Sequence, residues 1–377
     1  MTNKRNPVRP ARLTRHAWPL GLTLCVPRFL HAEDQVDYRY EYYKEDNNRM
    51  TIFTHSVYFE QKLVDAITAK GELVYDGISG ATPTGGYNGK NVLYTHLEDT
   101  RRSLSLQLDS RLGHNTITPG FAYSKESDYQ SYGVSLNDAI DFNDKNTTLQ
   151  FGVSQNFDNV RHADRVNWSN KYSTEGMVGI TQLLSPKTTA NATFTFGNDS
   201  GYLKDPYRVI DFSLSGFAYP EVRPSHRNKE VVYLDVNHFF DSVNAAGDLS
   251  YRFYNDSYGV MAHTVEATWT QHLGKYVILE PLARYYEQSA ADFYRTSVNN
   301  LYPGAPFGEK PTFYSADYRL SNLETFTYGT QLTFIIKERI FLDLGYHRYE
   351  MFGLDGSTPS GAYPKANIYT AGVRFTW

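Results

Sequence analysis

A chain of 377 residues with 41% apolar and 21% charged content can bury a sizeable core, which sets aside the disordered class. No run of about 20 apolar residues occurs anywhere, so a bundle of transmembrane helices is excluded. Tyr (31) and Phe (22) are abundant and Met (5) is scarce, a mix that favours strands joined by polar turns.

The first 32 residues differ from the rest. Lys4, Arg5, Arg9, Arg12 and Arg15 form a basic lead, "AWPLGLTLCVP" is mostly apolar, and "FLHA" precedes the acidic "EDQ". This pattern predicts a secretory signal over residues 1–32, cleaved near Ala32, although Pro27 and Arg28 interrupt its apolar part. Leu24 stands where a lipoprotein signal needs a small residue, which argues against lipidation of Cys25. Cys25 is the only cysteine, so residues 33–377 can form no disulfide, thiolate metal site or thiol nucleophile. The signal holds six of the 37 basic residues and none of the 41 acidic ones. The remainder carries 31 basic residues against 41 acidic, a net charge of −10 that makes a poor nucleic-acid binder.

From there on, period-2 alternation recurs along the chain, which means strands with two different surroundings. The first is "QVDYRYEYY". In "AITAKGELVYD", Ile67, Ala69, Leu73 and Tyr75 oppose Thr68, Lys70, Glu72 and Asp76. In "RSLSLQLDS", Leu104, Leu106 and Leu108 oppose Ser103, Ser105, Gln107 and Asp109. "NATFTFG" sets Phe194 and Phe196 against Thr193 and Thr195. "LSYRFYN" sets Leu249, Tyr251 and Phe253 against Ser250, Arg252 and Tyr254. "TVEATWTQ" sets Val265, Ala267 and Trp269 against Glu266 and Thr268, and "IFLDLGY" sets Leu342 and Leu344 against Asp343. The final strand ends "NIYTAGVRFTW", with Trp377, Phe375 and Val373 on one face and Arg374 on the other.

Seven connections are tight and polar: "KLVDA", "SRLG", "NDKN", "SPKT", "SVNAAG", "HLGK" and "KER". Eight others of uneven length interleave with them, the long ones being 77–95, 159–172, 200–227, 289–321 and 353–364. The total is about 16 strands, each near the roughly 9–11 residues that cross a bilayer with tilt. In lipid every backbone N–H and C=O must be paired internally, so a chain without apolar helices can span only as a closed barrel. Short turns on one side and long loops on the other mark the bacterial outer-membrane barrel. A soluble sandwich is disfavoured by the strand lengths and by a polar face too charged for a core. The fold predicted is all-β: one transmembrane antiparallel barrel over residues 33–377, with short periplasmic turns, long extracellular loops and no plug domain. Its terminal aromatic face, Val373, Phe375 and Trp377, is the expected assembly signal for the barrel-assembly machinery, with Trp377 at the periplasmic interface.

Several segments resemble a porin-like bacterial outer-membrane barrel family of unassigned function, a domain of unknown function. They are "DGISGATP", "DPYR", "RPSHR", "YRFYNDSYGVMAHT", "RYYEQSAADFYR" and "SADYRLS". The resemblance covers essentially the whole chain after the signal and specifies no chemistry. It implies neighbours in an envelope redox or flavin-attachment system.

Two groups of residues are candidates for function. Lys70, Glu72, Asp76, Asp109, Arg252, Glu266, Asp343 and Arg374 occupy the polar phase and are expected to line the lumen, where mixed charges set selectivity. The same charges could instead pair into a network that fills the barrel. Asp205, Arg208, Arg223, Arg227, Arg284, Asp317 and Arg319, with Asp292 and Arg295, lie in or beside the two longest loops. They are expected either to bind carboxylate or phosphate groups or simply to pair and stiffen the loops. The histidines outside the signal (His55, His96, His114, His162, His226, His238, His263, His272 and His347) show no metal-ligand spacing. No catalytic, cofactor-binding or metal residue is assigned, and no cofactor is expected. The function expected is passive diffusion of small polar or charged solutes through a porin-like outer-membrane barrel, rather than an enzyme. Its surroundings would be outer-membrane lipid and lipopolysaccharide. The alternative is a scaffold or sleeve seating a periplasmic or lipoprotein partner in an envelope redox complex. A surface hydrolase, with His96 or His263 beside Ser and an acid on the outer rim, is a third.

Overall fold

The structure is a computed structural model that describes residues 34–88, 91–162, 166–212, 217–297 and 311–377. The signal predicted over residues 1–32 lies outside them. The chain runs through β1 (Gln35–Glu45), β2 (Met50–Val64), β3 (Ile67–Asn88), β4 (Asn91–Leu112), β5 (Asn115–Lys125) and β6 (Tyr129–Phe142). Next come β7 (Thr147–Arg161), β8 (Trp168–Ser185), β9 (Thr188–Gly201), β10 (Val209–Phe212), β11 (Phe217–Pro220) and β12 (His226–Phe240). The last are β13 (Ala245–Asp256), β14 (Met261–Leu273), β15 (Val277–Gln288), β16 (Leu323–Ile336), β17 (Ile340–Gly353) and β18 (Lys365–Thr376). Sixteen of these close into one antiparallel barrel, while β10 and β11 form a separate hairpin between β9 and β12.

Closure is made by β18 against β1, in register from Gln35↔Thr376 to Glu45↔Ala366. The Trp377 N–H donates to the Asp34 carbonyl at 3.0 Å, so the last residue is tied into the seam. No barrel strand is left with an unpaired edge, which is what a lipid surroundings demands. The seven tight turns fall where the sequence places them, between strands that pair as hairpins. Gly113 (φ 67°) and Gly274 (φ 72°) supply the left-handed backbone in two of them.

The outward face carries the apolar phase. Leu73, Leu106, Leu136, Val153, Leu249, Leu344 and Val373 are all exposed there, a belt far larger than the patches a soluble surface tolerates. The inward phase is polar, as Asp76, Gln150, Ser154, Asp199 and Thr333 show by being buried inside the ring. Alternation in the sequence is therefore inside against outside.

One expectation is corrected. Residues 77–88 and 91–95 are strand rather than loop: β3 and β4 are 22 residues each and pair as a hairpin that outruns its neighbours. β2 stops pairing with β3 at Met50↔Gly80. Beyond that point β10 packs on β3 instead. The Gly- and Pro-rich composition that suggested a loop serves an irregular strand, whose register shifts between Pro83 and Tyr87.

Candidate functional site

Inside the barrel, charges of opposite sign meet across neighbouring strands. Lys70 Nζ stands 2.7 Å from Asp109 and 3.7 Å from Glu60. Arg101 Nε donates to Asp76 at 2.5 Å, and the Thr54 hydroxyl donates to the other Asp76 oxygen at 2.6 Å. Lys171 lies 3.3 Å from Asp158, and Lys229 bridges Glu175 (3.1 Å) and Asp199 (3.0 Å). Arg284 pairs with Glu266. Such pairs between strands i and j are the natural result of facing residues in an antiparallel register; Glu266↔Arg284 is one directly opposed pair.

Other lumenal groups are held differently. Asp343, 2% exposed, accepts from the Thr333 hydroxyl at 2.6 Å. Glu280 accepts from the Thr270 hydroxyl at 2.9 Å. Arg374 lies 4.3 Å over the Phe341 ring, and Arg252 5.9 Å over the Tyr254 ring. Glu72 points inward from β3 and is half-buried. All eight residues predicted from the polar phase thus sit on inward positions of the wall.

At the outer mouth the two longest loops fold together into a cap. Its centre is Asp317. Arg319 reaches it with two N–H groups at 2.8 and 2.6 Å, Arg223 donates at 2.8 Å, and Arg208 Nε lies 3.4 Å away. Asp205 pairs with Arg319 and lies 3.7 Å from Arg208. Glu221 completes the group, 2.7 Å from Arg223 and accepting from the Ser315 hydroxyl at 2.5 Å. Three arginines and three carboxylates balance one another. Asp317 and Glu221 are each 1% exposed and Arg208 3%. The cluster is a lock between residues 205–208 and 221–223 on one side and 315–319 on the other, with Asp317 and Glu221 buried at its centre.

Electrostatics inside the lock pull in two directions. Burial alone would raise the Asp317 carboxyl, but Arg319, Arg208 and Arg223 outweigh it and hold it below the usual carboxylate range. Asp205 is lowered in the same way by Arg208 and Arg319. Burial pushes Glu221 up, Arg223 offsets this only in part, and Asp317 adds repulsion.

An apolar layer lies with the lock and seats it inside the mouth. Tyr87, Ile210, Tyr318, Leu323, Met351 and Tyr363 pack together, with Tyr286 and Tyr349 of the wall against them. Tyr87 donates to the Ala316 carbonyl at 3.0 Å, which ties the β3–β4 hairpin to the cap.

Two residues predicted in the loop group are elsewhere. Arg284 is an inward residue of β15, four places before that strand ends. Arg227 opens β12 and pairs with Asp256 at 2.8 Å. Arg295 donates to the Tyr294 carbonyl, and Asp292 lies against Gly259; neither joins the lock. Glu221 was missed by sequence reasoning, although a carboxylate two places before Arg223 was the available signal.

For rim chemistry, His96 is exposed beside Glu98 (3.8 Å), and His263 faces outward, bonded to Tyr251 at 2.7 Å. Neither stands by a serine among the described residues. A Ser169–His162 pair at 2.6 Å does occur on the rim, yet the ring stacks on Tyr202 and no carboxylate or amide is bonded to its other nitrogen. Asp99, Glu126 and Asp128 also approach one another at the rim, and burial raises the Glu126 carboxyl to about 7.

No curated protein matches the sequence. Among solved structures, CdiB from Acinetobacter baumannii is similar at 8% identity with a TM-score of 0.52, over 92% of this chain and 60% of that one. OccK8 (OprE) from Pseudomonas aeruginosa is 10% identical with a TM-score of 0.43, over 92% and 98%. A bacterial polysaccharide outer membrane secretin is 10% identical with a TM-score of 0.46, over 93% and 100%. At these identities the likeness speaks to fold alone. A family model described as a protein of unknown function (DUF3570) matches residues 26–92, 88–171 and 161–371, and the chain belongs to that family.

Proposed function

We propose that the chain is an outer-membrane barrel that lets small polar or charged solutes diffuse passively through a mixed-charge lumen. The observation that carries this reading is the inward wall. It presents ionised and hydroxylated side chains along strand after strand, from Asp141 and Thr148 near the short turns to Lys229 and Asp199 toward the mouth. A barrel built only as a solid support would be filled more economically by apolar side chains, because each buried ion pair must first lose its water. In this reading residues 1–32 direct export and are removed. The Val373, Phe375 and Trp377 face delivers the chain to the assembly machinery, and the exposed loops meet lipopolysaccharide.

A second reading is favoured by one feature. The apolar core of the cap sits inside the mouth, against Tyr286 and Tyr349 of the wall. A barrel closed there would suit a sleeve that seats a periplasmic or lipoprotein partner from below. Swelling of liposomes carrying the folded barrel, in an isotonic neutral sugar, separates the two. Swelling supports diffusion; its absence from a barrel shown to be folded favours the sleeve.

A further inference from the structure

We propose that the lumen favours small cations over anions, through carboxylates in its short-turn half that outnumber the lysines and arginines there. The inference deepens the diffusion reading and rests on it. The inward cations Arg39, Lys70, Arg101, Lys171, Arg227, Lys229 and Arg284 are each already matched to at least one carboxylate. The converse does not hold. Glu72, Asp141, Glu280 and Asp343 make no ion pair among the described residues; Asp141, Glu280 and Asp343 are held by the hydroxyls of Thr148, Thr270 and Thr333. Arg374, whose guanidinium lies over Phe341, shares Asp37 with Arg39, so it adds one cation against these four carboxylates. The lumen is left with excess negative charge.

Position strengthens the case. Asp141 is one residue from the end of β6, Glu280 and Asp343 are three residues into β15 and β17, and Glu72 is five residues into β3. At about 3.3 Å per residue all four lie within roughly 17 Å of the short-turn ends. β3 and β6 stand on one side of the ring order, β15 and β17 on the other, so the carboxylates form a broken ring. Charged rings of this kind set ion preference, and low-dielectric walls concentrate their field. Asp343 adds an independent sign. It is 2% exposed, and its Oδ2 accepts no hydrogen bond among the described residues, which leaves one carboxylate oxygen without a protein donor.

The test uses the purified full barrel in a planar bilayer under a potassium chloride gradient, with sugar-driven liposome swelling run in parallel. The expected reversal potential has the cation-selective sign. Glu280→Gln with Asp343→Asn should lower the cation-to-anion permeability ratio by about twofold. Glu72→Gln with Asp141→Asn, on the other side of the ring, should act in the same direction and guards against misfolding of the first pair. Swelling with a reversal potential at zero or of anion sign overturns the cation preference while leaving diffusion in place. A folded barrel that neither swells liposomes nor conducts overturns both.

Discussion

Asp317 shows how much a single side chain holds in the cap. It accepts from Arg319 and Arg223 and lies beside Arg208, and is itself 1% exposed. Replacing it with Ala leaves three guanidinium groups with two carboxylates. Breaking one partner of a buried charge network costs about 3–5 kcal/mol. The expected result is a cap that trypsin cuts at Arg208 or Arg319, while the barrel keeps its anomalous gel migration without heating. Equal trypsin resistance in D317A and wild type would mean that the apolar layer alone holds the loops. The same residue sets the response to acid. Its folded pKa, and that of Asp205, are depressed, so their contribution is fully present above the ordinary carboxylate value of about 4. It is lost only as pH falls through the lower, folded value. Glu221 is shifted the opposite way and is protonated earlier, which removes a like charge from beside Asp317. Hydrogen exchange at residues 205–212 and 311–321 should therefore stay slow from neutral pH down to about 4 and rise below it. A rise already near pH 6 would contradict this assignment.

At the scale of single elements, packing on the lipid face depends on two glycines of β3. The Phe59 ring lies across Gly71 and the Phe53 ring across Gly77, each covering the space where a side chain would stand. Gly77→Val should displace Phe53 from its neighbours His55 and Tyr75 and destabilise the barrel by about 1–3 kcal/mol. A lower midpoint in a heat-modifiability series would show it, and an unchanged midpoint would show that the ring relocates freely. These elements also show what the sequence revealed and what it hid. Strands such as 100–109 and 365–376 were legible because lipid and lumen impose opposite chemistry on alternate residues, and turns because their tips need polar or left-handed positions. The run from Gly77 to Asn88 was not legible, since Gly80, Pro83 and Gly85 read as a breaker. Its edge is covered by β10, a contact that composition cannot foretell. Arg284 was grouped with the loops because β15 ends only four residues after it, whereas its register sets it opposite Glu266 on the inward face. The lumenal phase was readable mid-strand, and five of the six lock members were grouped from the loops; Glu221, and whether the group pairs or binds a ligand, were not legible, because the six converge from three separate stretches of chain.

For the molecule as a whole, cap and wall divide two tasks. The lock is charge-balanced and largely buried at the outer mouth, whereas the excess carboxylates lie in the opposite half of the lumen. If the cap is the narrowest point, it limits how much passes, and the wall decides which sign of charge passes. The two properties should then respond to different substitutions. Asp317→Ala with Arg319→Ala removes the ion pairs that cross between the two loops together with one charge of each sign, so the net charge of the mouth does not change. Single-channel conductance should rise by roughly twofold or more as the loops leave the mouth, because passage varies steeply with the width of a constriction. The reversal potential under the same salt gradient should stay where it is in the wild type. Higher conductance with a shifted reversal potential would mean that the cap itself filters by charge. Unchanged conductance would place the constriction on the wall, where Ile278, Ile335 and Phe341 form a small apolar cluster near the short turns.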